Sequence, residues 1–300
     1  ERDQNHRLDT ATGQFTLKLA NPAEPAALTE FQTLALLHAA ARAPDLPIPR
    51  VIPAQDGRPV IPTPDGALRL LTWLPGTPLA HLPRSKPLAA AIGTALGRLD
   101  ATLASFQHPA AGHHLLWDIR NALDLAPLLP ALPDDLRPRI DTVLSRFAAH
   151  TAPALAALPR QVIHGDFNPH NLLADPADPT RLTGLLDFGD MTLSHRICDL
   201  AVAASYLIEP ADPMSLLIPL TRAYHRANPL TAPEIALLPD LITARLATTL
   251  TITAWRAARY PQNAAYILRN APTSRAGLDA LTDPAALTDA LLQACERPSP

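Results

Sequence analysis

Three hundred residues, 47% of them hydrophobic, can bury a substantial core and divide into two lobes or form one large domain. A net charge of −3 and a pI near 6.4 exclude the basic bias of nucleic-acid binders and offer no attraction to an anionic membrane. No uninterrupted apolar run approaches the roughly 18 residues of a membrane span, and no signal-peptide pattern opens the chain. The two cysteines, Cys198 and Cys295, form no C-x-x-C pair, so free thiols in a reducing, cytoplasmic setting are expected. Thirty-four prolines interrupt the chain, yet apolar periodicity persists between them, which separates it from low-complexity disorder.

In chain order, the first predicted element is a strand over residues 14–20, fed by a turn over 9–13. Lys18 lies inside that apolar strand, an unusual place for a solvated lysine. A helix is expected over 26–41, with Glu30 its best-placed carboxylate; Glu24 precedes Pro25 and falls outside it. The run 69–76 reads as a strand leaving a small sheet through Pro75-Gly76, which puts a lobe boundary after Trp73. The lobes then cover 1–73 and 74–300.

Beyond residue 80 the chain reads as mainly helical. Ile92, Leu96, Leu99 and Leu103 make a helical stripe within 89–106, and Leu136, Ile140, Val143, Leu144 and Phe147 another within 133–149. Short apolar runs at 161–163, 172–174 and 185–186 read as strands, with a turn over 175–180. A short buried helix is expected over 198–206, and the longest periodic run, 232–260, reads as two helices broken near Pro239.

The strands bracket two motifs. His164-Gly165-Asp166-Phe167-Asn168-Pro169-His170-Asn171 is an H-x-D-x-x-x-x-N loop, and Asp187-Phe188-Gly189 is a D-F-G downstream of it. In this order, each after a β-like run, they form the two-part signature of kinase-type phosphoryl transfer. A hairpin joining the two strands would carry Asn171 and Asp187 to neighbouring strand ends. Asp166 is then the base that takes the acceptor's proton, while Asn171 and Asp187 hold Mg²⁺, a hard ion served by oxygen ligands and water. Lys18, oriented by Glu30, is the phosphate lysine, and Leu71 and Trp73 are candidates for contact with the nucleotide base.

The block 162–207 resembles the aminoglycoside phosphotransferase and choline kinase superfamily. The resemblance rests on Ile163 to Leu173 around the loop, on Gly184-Leu185-Leu186-Asp187-Phe188-Gly189-Asp190-Met191, and on Asp199-Leu200-Ala201. The D-F-G-D-M wording is similar to the hydroxylysine kinase branch. The resemblance implies an α+β, two-lobed protein-kinase-like fold, with a small β-rich lobe and a larger mainly helical one. It implies a small-molecule kinase using ATP or GTP with Mg²⁺ on a hydroxylated amine or amino acid such as 5-hydroxylysine. Aminoglycoside, choline, ethanolamine and homoserine are rival acceptors, and a non-catalytic kinase-like binding domain is the rival of another class. By the same resemblance His164 and Asp199 support the catalytic loop from behind.

Two expectations concern the chain ends. No glycine precedes Gly13, so the chain is expected to enter the small lobe after its phosphate loop, with Asp3, Gln4 and Asn5 near the phosphates. The run Arg297-Pro298-Ser299-Pro300 suits a linker to a fused domain. Acceptor recognition draws on Trp117, Asp118, Arg120, Arg245, Trp255, Arg256 and Asn263, from which Asp118, Trp255 and Arg256 are selected together with Asp190.

Overall fold

A computed structural model describes residues 3–296; the linker expectation at 297–300 falls outside them. The chain begins with a hairpin of β1 (Gln4–Thr10) and β2 (Gly13–Leu19), in which Thr10 Oγ1 donates to the Gly13 carbonyl at 2.8 Å. Helix α1 (Ala26–Arg42) follows Pro25 and lays Phe31, Ala35, Leu36 and Ala39 into the core. Strands β3 (Val51–Ile52), β4 (Ile61–Thr63) and β5 (Gly66–Thr72) complete an antiparallel sheet of order β1-β2-β5-β3, with β4 also on β5. Its register sets Asn5 beside Lys18 and Lys18 beside Arg69, one row across three strands. The turn at Gly66 needs glycine: its φ is +131°, and an added Cβ would lie 2.1 Å from the Ala20 carbonyl oxygen.

After the sheet come β6 (Thr77–Pro78) and α2 (Lys86–Leu103), whose first turn is capped by Ser85 Oγ accepting from the Leu88 amide at 3.2 Å. The predicted stripe of Ile92, Leu96, Leu99 and Leu103 is buried. A 3₁₀ stretch, Ile119–Ala131, leads to α3 (Arg137–Arg146), a π turn over Phe147–Thr151, and α4 (Ala152–Ala156). Strands β7 (Gln161–Ile163), β8 (Leu172–Asp175), β9 (Asp178–Leu185) and β10 (Thr192–Ser194) form two small antiparallel sheets, β10-β7 and β6-β8-β9.

The remainder is helical: α5 (Arg196–Ser205), α6 (Met214–Ala227), α7 (Ala232–Arg259), α8 (Ala264–Ile267), α9 (Ala271–Ala280) and α10 (Pro284–Glu296). The expected break at Pro239 does not occur: α7 is one helix of 28 residues. An interior proline costs roughly 3 kcal/mol, but the turns around it bury Ile235, Leu238, Leu241 and Ile242. Each such side chain returns about 1.5–3 kcal/mol, and a capping box of Thr231 and Glu234 anchors the start. By length and composition α7 matches a membrane span, yet 78% of its most apolar window is buried inside the protein.

Candidate active site

The H-x-D-x-x-x-x-N loop links β7 to β8 and is held from beneath by its own histidine. The Asp166 amide donates to His164 Nδ1 at 3.2 Å, so His164 Nε2 carries the proton and donates to the Leu186 carbonyl at 2.9 Å. Asp199 on α5 accepts from the amides of His164 and Gly165 at 2.7 and 3.0 Å. Gly165 sits at φ +79°, and a Cβ there would fall 2.4 Å from the Asp190 carbonyl oxygen. These contacts leave Asp166 facing the cleft on a fixed backbone.

Both oxygens of Asp166 have donors. Asn171 Nδ2 reaches Oδ2 at 2.9 Å, and Arg245 Nη2, from the middle of α7, reaches Oδ1 at 3.3 Å. The Asn171 amide group is thereby turned so that its Oδ1 is the atom left for a cation. Leu172 pairs with Leu185, and the Leu186 amide donates to the Asn171 carbonyl at 2.8 Å, which sets Asp187 beside Asn171 at adjoining strand ends. Asp187 is left-handed (φ 56°), the one non-glycine residue with positive φ among the described residues. Such a backbone is costly and is tolerated best by Asp and Asn. Gly189 leaves room for this carboxylate, since a Cβ there would lie 3.0 Å from Asp187 Oδ1.

One amide oxygen and one exposed carboxylate suit Mg²⁺, which binds through few protein oxygens and fills its shell with water and phosphate. Among the described residues no cluster of three His, Cys, Asp or Glu offers a self-sufficient metal cage.

Lys18 Nζ lies 3.6 Å from Asp187 Oδ1 and 3.2 Å from Asp3 Oδ2, and Asp3 also pairs with Arg69 at 3.3 Å. The pairing of Lys18 with Glu30 is not found. Glu30 is 64% exposed, and its carboxylate is 4.0 Å from His108 on the outer side of α1. The helix turns Gln32 toward the sheet instead, where it accepts from Arg69 at 3.1 Å and donates to Glu24 at 3.0 Å. Burial, then the charge of Asp3, pushes the Glu24 carboxyl above its ordinary range. Asp3, just before β1, is thus a half-buried counter-ion to Lys18 and Arg69, while Gln4 and Asn5 are exposed positions of β1.

Leu71 and Trp73 have their amides committed. Leu71 is buried and is paired across the sheet with both Thr16 and Val51. The Trp73 amide donates to the Gln14 carbonyl at 3.1 Å, and its ring packs under the Arg7 guanidinium.

A cleft of about 900 Å³ opens beside Asp166, lined by Trp117, Asp190, Arg245, Arg256, Tyr260 and Arg269 among others. Of the selected acceptor residues, Asp190 and Arg256 line it and two do not. Asp118 is buried, accepting from Ser194 Oγ at 2.8 Å and the Arg120 amide at 3.0 Å as the cap of the 3₁₀ stretch. Trp255 is half-buried on a different face of α7 from the cleft, with Arg259 over its ring. Arg245, passed over in favour of these, is 1% exposed and also donates to the Trp117 carbonyl at 2.8 Å. Its signal was there to find: it is the one charged residue between Asp240 and Arg256 in α7.

A family model described as "Phosphotransferase enzyme family" matches residues 1–236, more than half of the chain. The chain belongs to the phosphotransferase enzyme family. Curated relatives of this family member include hydroxylysine kinase of Danio rerio, 28% identical over 92% of this chain and 82% of that protein. Hydroxylysine kinase of Mus musculus is 28% identical over 72% of this chain, which spans 61% of that relative's length. Homoserine kinase of Acidiphilium cryptum is 29% identical over 80% of this chain and 73% of that protein. Among solved structures, amicoumacin kinase in complex with AMP-PNP, Ca²⁺ and Ami superposes with a TM-score of 0.69 at 14% identity, covering 92% of this chain and 87% of that one. A microcompartment-associated aminopropanol kinase gives 0.63 at 19% identity, covering 99% and 92%. The family member therefore has the α+β, protein-kinase-like fold expected of its sequence.

Proposed function

We propose that this phosphotransferase is a small-molecule kinase that moves the γ-phosphoryl group of ATP or GTP to the hydroxyl of a hydroxy amino acid such as 5-hydroxylysine. The observation that carries the reading is Asp166, held from both sides by Asn171 and Arg245 at the edge of an acceptor-sized cleft. Asp166 takes the hydroxyl proton as the acceptor oxygen bonds to the γ-phosphorus. The bond from that phosphorus to the β–γ bridging oxygen breaks, and its electron pair leaves with the nucleoside diphosphate. Lys18 steadies the phosphates, and Asn171 and Asp187 hold Mg²⁺, which neutralises charge on the phosphate oxygens when bound. The cleft's charges are mixed: Arg256 and Arg269 suit a carboxylate, Asp190 an ammonium group. That balance favours a zwitterionic acceptor over a bare amine or a polycationic drug, and it leaves homoserine as the second reading.

The test is Mg²⁺-dependent ADP and GDP release over 5-hydroxylysine, homoserine, ethanolamine, choline and kanamycin. Turnover is expected on the amino acids and to fall by roughly 100-fold or more in Asp166→Ala. Asp187→Ala should abolish turnover together with metal-dependent nucleotide binding. Turnover on choline or kanamycin alone would sink the zwitterion reading, and an active Asp166→Ala the base assignment.

A further inference from the structure

Behind the catalytic loop two carboxyl groups meet inside the core. Asp199 is fully buried and accepts the two loop amides of His164 and Gly165. Asp100, on α2, is fully buried against it. Asp100 Oδ2 accepts the phenol proton of Tyr224 on α6 at 2.6 Å, but Oδ1 is buried and has no hydrogen-bond donor. Among the described residues neither carboxyl has an ion-pair partner. The guanidinium of Arg196, on the same helix as Asp199, is committed to Glu234 at 2.7 and 2.8 Å and to Asn228 at 2.6 Å.

Two buried like charges without a cation are not a stable arrangement, and neither is a buried acceptor with nothing to accept. A single proton between the carboxyls answers both. Asp199 is served by two backbone N–H groups, which favour its anion; Asp100 has one phenol, so the proton belongs on Asp100. Burial, then the charge of Asp199, raises the Asp100 carboxyl well above its ordinary range, in the same direction.

We propose that Asp100 and Asp199 share one proton, seated on Asp100 Oδ1, and that Asp100 is a positioning residue tying the catalytic loop to α2 and α6. The observed bonds run from Asn228 Nδ2 to Tyr224 (3.5 Å) and from Tyr224 to Asp100 on one side, and from the loop amides to Asp199 on the other; the shared proton is the link between them. The charged and polar groups facing Asp100 are Asp199 and, at longer range, Arg196 from α5, and Tyr224 from α6. Gln161, at the start of β7, donates to its backbone carbonyl at 2.7 Å. The proposal leans on the kinase reading only in calling the loop catalytic.

Asp100→Asn is the decisive variant, because its amide NH₂ replaces the proposed hydroxyl donor while its oxygen still accepts from Tyr224. A carboxyl raised in the folded state adds stability fully below its unfolded pKa of about 3.9 and loses that contribution as pH rises toward its folded value. The thermal midpoint of Asp100→Asn minus that of wild type should therefore increase between about pH 5.5 and about pH 8. Wild type at neutral pH should show the infrared C=O band of a protonated carboxyl, and Asp100→Asn should lack it. Turnover of Asp100→Asn should stay within about twofold of wild type, while Asp100→Leu should lose about tenfold or more in kcat with nucleotide KM held. If Asp100→Leu does not fold, Tyr224→Phe replaces it, with a severalfold loss of kcat expected. A flat or falling midpoint difference, a missing band, or unchanged kcat in both Asp100→Leu and Tyr224→Phe would overturn the proposal. The midpoint and infrared arms need no turnover, so they decide the proton even if the kinase reading fails.

Discussion

Arg245 reaches Asp166 across 79 positions of sequence, and its guanidinium splits its donors between that carboxylate and the Trp117 carbonyl. A planar fork serves two acceptors at fixed angles, whereas a lysine ammonium is a point charge on a flexible stem. Arg245→Lys is therefore expected to lower kcat at least about tenfold with nucleotide KM little changed, read by steady-state kinetics. Removing the charge altogether, as in Arg245→Met, also removes the charge-assisted hydrogen bond to the cleft-facing Asp166, a loss of about 1.5–3 kcal/mol. Asp166, Asn171 and Asp187 were legible because one loop and one hairpin carry them, so local spacing suffices to bring them together. Arg245 stood out only as a lone charge in an apolar helix; its pairing with Asp166 was not legible, because only tertiary packing sets a helix midpoint against a loop. Glu30 failed for a related reason: sequence locates α1 but not its rotation relative to the sheet, and it is Gln32 that faces inward.

At the scale of elements, α2 and α6 pack through glycines. A Cβ at Gly93 would lie 2.1 Å from the Leu220 carbonyl oxygen, and one at Gly97 2.9 Å from that of Tyr224. Backbone cannot yield as a side-chain tip can, so Gly93→Ala must part the helices, at a cost of about 1–3 kcal/mol. Urea unfolding should show this as a lower midpoint with an unchanged slope. The strands around the motifs were readable as short apolar runs, and the helical stripe of α2 as a 3.6-residue period. Helix α6 went unread because Pro213 and Pro219 punctuate it. Leu216, Leu217, Leu220 and Tyr224 are nevertheless buried on one face, and that burial outweighs the bond Pro219 removes.

For the whole molecule, the Lys18–Asp187 contact spans from the five-stranded sheet to the D-F-G segment. On the proposed function, Mg²⁺-nucleotide bridges the same two places. At about 100 times its Kd it should stabilise the fold by about 2.7 kcal/mol, a rise of several degrees in thermal midpoint. Chelating the metal, or Lys18→Met, should shrink that rise at the same nucleotide concentration; an undiminished rise would remove Lys18 from the phosphates. The uninterrupted course of α7 has one more consequence. Arg245 and Arg256 are eleven residues apart on that helix, just over three full turns, so they share a face about 16 Å apart along the axis. A rigid rod with one mark at the reacting end and another at the charged end is a caliper. On the proposed function it would set the span allowed between an acceptor's hydroxyl and its carboxylate. Turnover across hydroxy amino acids of graded length should accordingly peak at one span, and truncating Arg256 to alanine should flatten that peak while leaving the nucleotide KM alone.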